Sequence, residues 1–106
     1  MESVIVDVNS GICGFKCRIN AERSEKRDVR IEITESDCGL IQKYSKLLND
    51  ISLKDLFTPL TKNLIFVSAE QAGCHQACPV PVAVIKACEV AFEMALPKNA
   101  DICFIK

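Results

Sequence analysis

Along the first third of this chain, apolar and polar side chains alternate with a period of two. Residues 3–8 are β-branched and apolar enough for a strand, and the turn formers Asn9, Ser10 and Gly11 follow them. From 15 to 22 the alternation is strict, with Phe15, Cys17, Ile19 and Ala21 on one face and Lys16, Arg18, Asn20 and Glu22 on the other. A charged turn from Ser24 to Asp28 leads to a second such run, with Val29, Ile31 and Ile33 inside. Period-two patterning around a short polar turn signals a hairpin, so the three strands predict an antiparallel meander.

The period then lengthens. Leu40, Ile41, Tyr44, Leu47, Leu48 and Ile51 have the spacing of one helical face, and Ser36 or Asp37 stands ready as its cap. Ser52 with Asp55 predicts a short second helix that ends before Pro59. Leu64 to Val67 reads as a short buried strand. Pro79 and Pro81 suit the first turn of a long helix, where a missing N–H is tolerated. Its inward stripe is Ile85, Cys88, Phe92 and Ala95, while Lys86, Glu89 and Glu93 face water and Pro97 ends it. Ile102 to Ile105 then reads as a closing strand that buries Cys103. The expectation is one α+β domain over residues 1–106. Its mostly antiparallel sheet, a three-strand meander plus a C-terminal strand, carries two main helices on one face.

Composition narrows the function. A chain of 106 residues can build a core without obligatory cross-links. Thirteen basic and fourteen acidic side chains leave a net charge of −1, which supplies no global attraction to nucleic acid. Lys16, Arg18, Arg23, Lys26, Arg27 and Arg30 do gather around the hairpin, but Glu22, Glu25, Asp28 and Glu32 are interleaved with them. That pattern describes a solvated surface, and no nucleic-acid partner is expected. Glu2 and Asp7 stand where a secretory leader would be basic and apolar. Lys86, Glu89 and Glu93 break the most apolar stretch, Val80 to Leu96, so no membrane span is expected either. A reducing cytoplasm follows as the expected setting, and a protein partner stays open.

Seven cysteines carry whatever chemistry is committed, because the chain has a single His and neither a phosphate loop nor a nucleophile elbow. Four fall in two Cys-x3-Cys pairs, Cys13/Cys17 and Cys74/Cys78. In a reducing compartment, clustered cysteines bind metal or do redox work more often than they form disulfides. Periodicity assigns Cys17, Cys88 and Cys103 to the core, where a free Cys behaves as a small hydrophobe. Cys13 lies in the glycine-flanked turn Gly11-Ile12-Cys13-Gly14, Cys38 in the first turn of the predicted helix, and Cys74 and Cys78 before the next one. Free N–H groups and the helix dipole stabilise a thiolate at such helix starts.

Spacing alone pairs Cys13/Cys17 with Cys74/Cys78 as a four-thiolate set. Strand alternation speaks against Cys17 and favours Cys13, Cys38 and Cys78, completed by Cys74 or His75. Either completion suits tetrahedral zinc, and three or four thiolates equally suit an iron–sulfur cluster. A lone His beside a helix start is as readily a surface residue, and only its two cysteine neighbours raise His75 as a ligand. The competing readings are a thiol-redox or sulfur-transfer protein using Cys78, and an adaptor or structural domain with no metal. A radical enzyme of the Cys-x3-Cys-x2-Cys kind is excluded, since Pro81 stands where its third cysteine would be.

The combination Ser10-Gly11-Ile12-Cys13-Gly14-Phe15, Ser36-Asp37-Cys38, Cys78-Pro79-Val80-Pro81 and Ala95-Leu96-Pro97 resembles a small family of single-domain proteins from anaerobic prokaryotes with no established activity. The resemblance implies a reducing cytoplasm and groups Cys13, Cys38 and Cys78. It implies no catalytic residue.

Overall fold

The alternating runs fold as the meander they predict. In the computed structural model, which describes residues 3–25, 27–48 and 50–106, strands β1 (Ser3–Asn9), β2 (Lys16–Glu25) and β3 (Asp28–Thr34) pair antiparallel in sequence order. The register sets Val4 opposite Ala21, Val6 opposite Ile19 and Val8 opposite Cys17. It continues with Ile19 opposite Ile33 and Ala21 opposite Ile31, so one face of the sheet is apolar up to Arg23, which lies opposite Val29. Ile19, Ala21 and Val29 on that face are wholly buried. The other face carries the charges: Asp7 takes a two-pronged contact from Arg18 (2.7 Å at Nε and 3.1 Å at Nη2), and Glu35 lies 3.3 Å from the same guanidinium.

Helices cover the apolar face. Helix α1 (Gly39–Leu47) follows β3, then come the two-residue strand β4 (Ile51–Ser52) and α2 (Leu53–Leu56), and finally α3 (Leu64–Ala72) and α4 (Val80–Ala91). Short 3-10 turns lie at Gly11–Cys13 and Leu60–Lys62. α4 packs across β1 and β2, while α1 packs on β3 and α3. The buried Tyr44 of α1 donates its hydroxyl to the Ile65 carbonyl of α3 at 3.0 Å, which locks the two helices together. Ser52 and Asp55 cap α2 reciprocally, as their spacing predicts.

The α+β class holds, with five departures in detail. The fourth strand is Ile51–Ser52 paired to β3, not the C-terminal segment. Ile51 therefore leaves the helix face assigned to it and becomes a wholly buried strand residue. Leu64–Val67 is the first half of α3, because Asn63 caps it and Ile65, Ser68, Ala69 and Ala72 bury a helical stripe. α4 stops well before Pro97. Its end is a Schellman arrangement in which Met94 N–H reaches the Glu89 carbonyl (2.8 Å) and Glu93 N–H that of Val90 (2.9 Å), with Glu93 left-handed at φ 62°. Residues 93–106 are exposed, so Ala95 and Cys103 are not core and Ile102–Ile105 is not a strand of this sheet. Phe15, expected inside, precedes β2 and is exposed. Lys26, in the predicted hairpin turn, lies outside the described residues.

Candidate thiol site

One end of the sheet collects the sulfurs. β1 ends there and β2 begins there, joined by the loop that holds Cys13, and β3 ends there, followed by Cys38 and α1. The loop from α3 to α4, with Cys74 and Cys78, closes on the same place: the Cα of Gly73 faces the Leu40 side chain of α1 closely enough that an added methyl would touch it at 3.7 Å.

Local chemistry holds each segment. Cys13 occupies the 3-10 turn between Gly11 (φ 77°) and Gly14 (φ 74°), which Gly14 N–H closes onto the Gly11 carbonyl at 2.8 Å. Cys38 N–H is held by the Ser36 hydroxyl at 3.2 Å, and the Gln42 amide donates to the Ser36 carbonyl at 2.9 Å. Ser36 and Asp37 are consequently not the cap of α1; Cys38 is. Gly73 (φ 82°) ends α3 with Cys74 N–H bonded to the Ala69 carbonyl at 2.9 Å, and Cys78 N–H bonds the His75 carbonyl at 3.0 Å.

The capping pattern separates these helices from the others. α2 and α3 start on side-chain oxygens, from Ser52 and Asn63. α1 and α4, which start beside sulfur, carry no side-chain cap bond. At α4 the Val80 N–H faces the Cys78 sulfur and favours its thiolate.

Electrostatics shows which sulfurs share a neighbourhood. Burial raises the Cys78 thiol above its ordinary range, the Val80 N–H pulls it back, and the charges of Cys13 and Cys38 push it up again. Burial raises Cys74, and so do Cys78 and Cys38. Cys17 is pushed up to about 11 by burial first, then by Cys78, Asp7 and Cys38. Cys13, Cys38, Cys74 and Cys78 are thus brought to one end of the fold, with Cys17 beneath them as both core residue and neighbour. Cys88, in α4, is fully buried and pushed up to about 12 by its burial. His75 sits exposed on the turn. All seven cysteines are free thiols, and among the described residues no group of three or more Cys, His, Asp or Glu side chains is placed to hold a metal ion.

A family model matches residues 4–104, nearly the whole chain. The chain belongs to a family of unknown function, DUF6951. No curated protein and no solved structure matches it. Among the described residues no helix is long and apolar enough to cross a membrane. Of the basic hairpin residues, Arg18 is engaged by Asp7 and Glu35, and Arg23 by Glu93 (3.6 Å) and the Phe92 ring (5.5 Å). Strand alternation speaks against Cys17, yet it lies near both Cys78 and Cys38. The doubled Cys-x3-Cys spacing was the signal for it.

Proposed function

We propose that this protein binds a thiophilic metal centre, zinc or an iron–sulfur cluster, through Cys13, Cys38, Cys74 and Cys78. The observation that carries the reading is convergence: after burial, the charges of Cys38 and Cys78 raise Cys74 and those of Cys13 and Cys38 raise Cys78, so sulfurs from three separate stretches of chain lie near one another, and a bound cation would relieve that repulsion. The two sulfur-led helices add support, because a thiolate accepts the first-turn N–H groups that no oxygen caps. Cys74 serves better than His75 as the fourth ligand, since it shares the electrostatic neighbourhood of Cys38 and Cys78. The glycine-flanked turn lets Cys13 move inward on binding. Four sulfurs around zinc make a closed site, which is structural rather than catalytic.

Thiol-redox or sulfur-transfer work by Cys78 draws less support, because such a nucleophile needs a lowered pKa and this thiol is raised. The anaerobic prokaryotic setting that the sequence resemblance implies, with a reducing cytoplasm, suits either metal centre.

Anaerobic purification with elemental analysis and a visible spectrum tests the proposal. The expected result is close to one zinc per chain, or iron with sulfide and thiolate-to-iron absorption. Cys38→Ser, Cys74→Ser and Cys78→Ser are each expected to lower the metal content several-fold while Cys88→Ser does not. A metal-free parent that also fails to take up added zinc or ferrous iron with sulfide overturns it.

A further inference from the structure

Among the described residues, β1 and the segment 102–105 each lack a partner that the other is built to supply. β1 is an edge of the sheet, seven residues long, with no proline or lysine to guard it. Its one charge, Asp7, is already engaged by Arg18. Its inward Val4 and Val6 are only half-buried, although the equivalent Ile19 and Ala21 of β2 are completely covered. On its outer face Ile5 is 60% exposed. The opposite edge, β4, is two residues long and offers little to pair with.

The C-terminal segment has matching properties. Ile102, Phe104 and Ile105 are at least 90% exposed, and the polar stretch 97–101 separates them from α4. In an extended chain Ile102 and Phe104 point to one side and Cys103 and Ile105 to the other. Both sides are therefore apolar, and β1 offers Val4 and Val6 on its inner face and Ile5 on its outer one. The family match runs through residue 104, so the segment belongs to the domain. Within one chain the free edge and the apolar segment do not meet, since residues 97–106 are exposed throughout.

We propose that residues 102–105 add as a strand to the free edge of β1 in a second copy of this chain, reciprocally, giving a two-fold symmetric dimer. Main-chain hydrogen bonds pair the strands. The side chains of one tail face extend the cover over Val4 and Val6, and those of the other lie beside Ile5. Exchange of two tails, each with three large apolar side chains, buries on the order of 1,200 Å² with the acceptor side included, the lower end for a specific interface. Isologous exchange uses up every donor and acceptor, so assembly stops at two. This inference stands independently of the thiol site.

Sedimentation equilibrium of the full chain, reduced and anaerobic, over a concentration series tests it. The parent is expected to approach twice the chain mass at high concentration. Ile102→Lys/Phe104→Lys and, separately, Ile5→Lys change only exposed side chains, and each is expected to raise the dissociation constant at least about tenfold with an unchanged far-ultraviolet spectrum. Leu60→Lys, at an exposed apolar site elsewhere, is expected to leave the dimer intact. Amides of residues 102–105 should gain hydrogen-exchange protection with concentration. A parent that stays monomeric overturns the proposal. So does a dimer that survives the tail and Ile5 substitutions, or tail protection independent of concentration, which would mean docking on the chain's own sheet.

Discussion

Asn63 holds together the part of the fold that carries Cys74, and its replacement has a calculable consequence. The side chain is 3% exposed and uses both ends. Its Oδ1 accepts the Ile65 N–H at 2.9 Å as the N-cap of α3, while its Nδ2 donates to the Asp55 carbonyl at 2.8 Å and the Thr58 carbonyl at 3.3 Å. Asn63→Ala removes the cap, worth about 1 kcal/mol, and two buried bridging bonds of about 0.5–1.5 kcal/mol each. The expected loss is about 2–4 kcal/mol. Asn63→Ser keeps an oxygen for the cap and loses only the bridge, for about 1–3 kcal/mol. Asn63→Asp keeps the cap but turns a carboxylate oxygen toward two carbonyls, so it should fall at least as low as the serine variant. Urea unfolding with a slope of about 1.5 kcal/mol per molar would show a midpoint drop near 2 M for the alanine variant. Equal midpoints for the alanine and serine variants would show that the cap is not made, and a serine variant within about 0.5 kcal/mol of the parent would show that the bridge to Asp55 and Thr58 is not.

Tyr44→Phe deletes the hydroxyl that ties α1 to the Ile65 carbonyl and keeps the ring, so a destabilisation of about 1 kcal/mol is expected by thermal or urea unfolding; no change would remove this bond from the account. Glu93→Gly relieves a left-handed residue at the end of α4 and loses only an exposed ion pair to Arg23, so a gain of about 1 kcal/mol is expected, and a loss in the same assay would refute the strain argument. The metal-free protein should weaken in alkali. Cys17 and Cys88 keep their protons up to about 11 and about 12 when folded, but release them from an ordinary value near 9 when unfolded. Above about pH 9 the unfolded chain thus binds fewer protons, and stability falls as pH rises through the folded values, by on the order of 2 kcal/mol for Cys17 alone. Urea midpoints that hold level or rise between about pH 8.5 and 10.5 would contradict this.

The sequence by itself determined whatever depends on near neighbours. Period-two runs specify the faces of β1, β2 and β3, because a one-residue slip would turn every valine and isoleucine to water. The Ser52/Asp55 cap and the positions of Cys38 and Cys78 beside helix starts are equally local, whereas Cys74, read from sequence as preceding a helix, follows the end of α3. Leu64–Val67 reads as a strand and folds as a helix because a short apolar run looks alike in a strand and in a buried helix; the signals that decide it, Asn63 before and Gly73 after, frame a longer segment. Only the tertiary structure decided which residue supplies the fourth strand, where α4 ends, and that Ile102–Ile105 stays uncovered. Each depends on whether a distant surface has a place for an apolar side chain: Ile51 finds one beside Val29, and the last residues find none in their own chain. The gathering of the thiols belongs to the same class. Cys13, Cys38 and the Cys74/Cys78 pair come from three separate stretches of the chain and reach one end of the sheet because β1, β2 and β3 meet α1 and α4 there, a meeting set by packing.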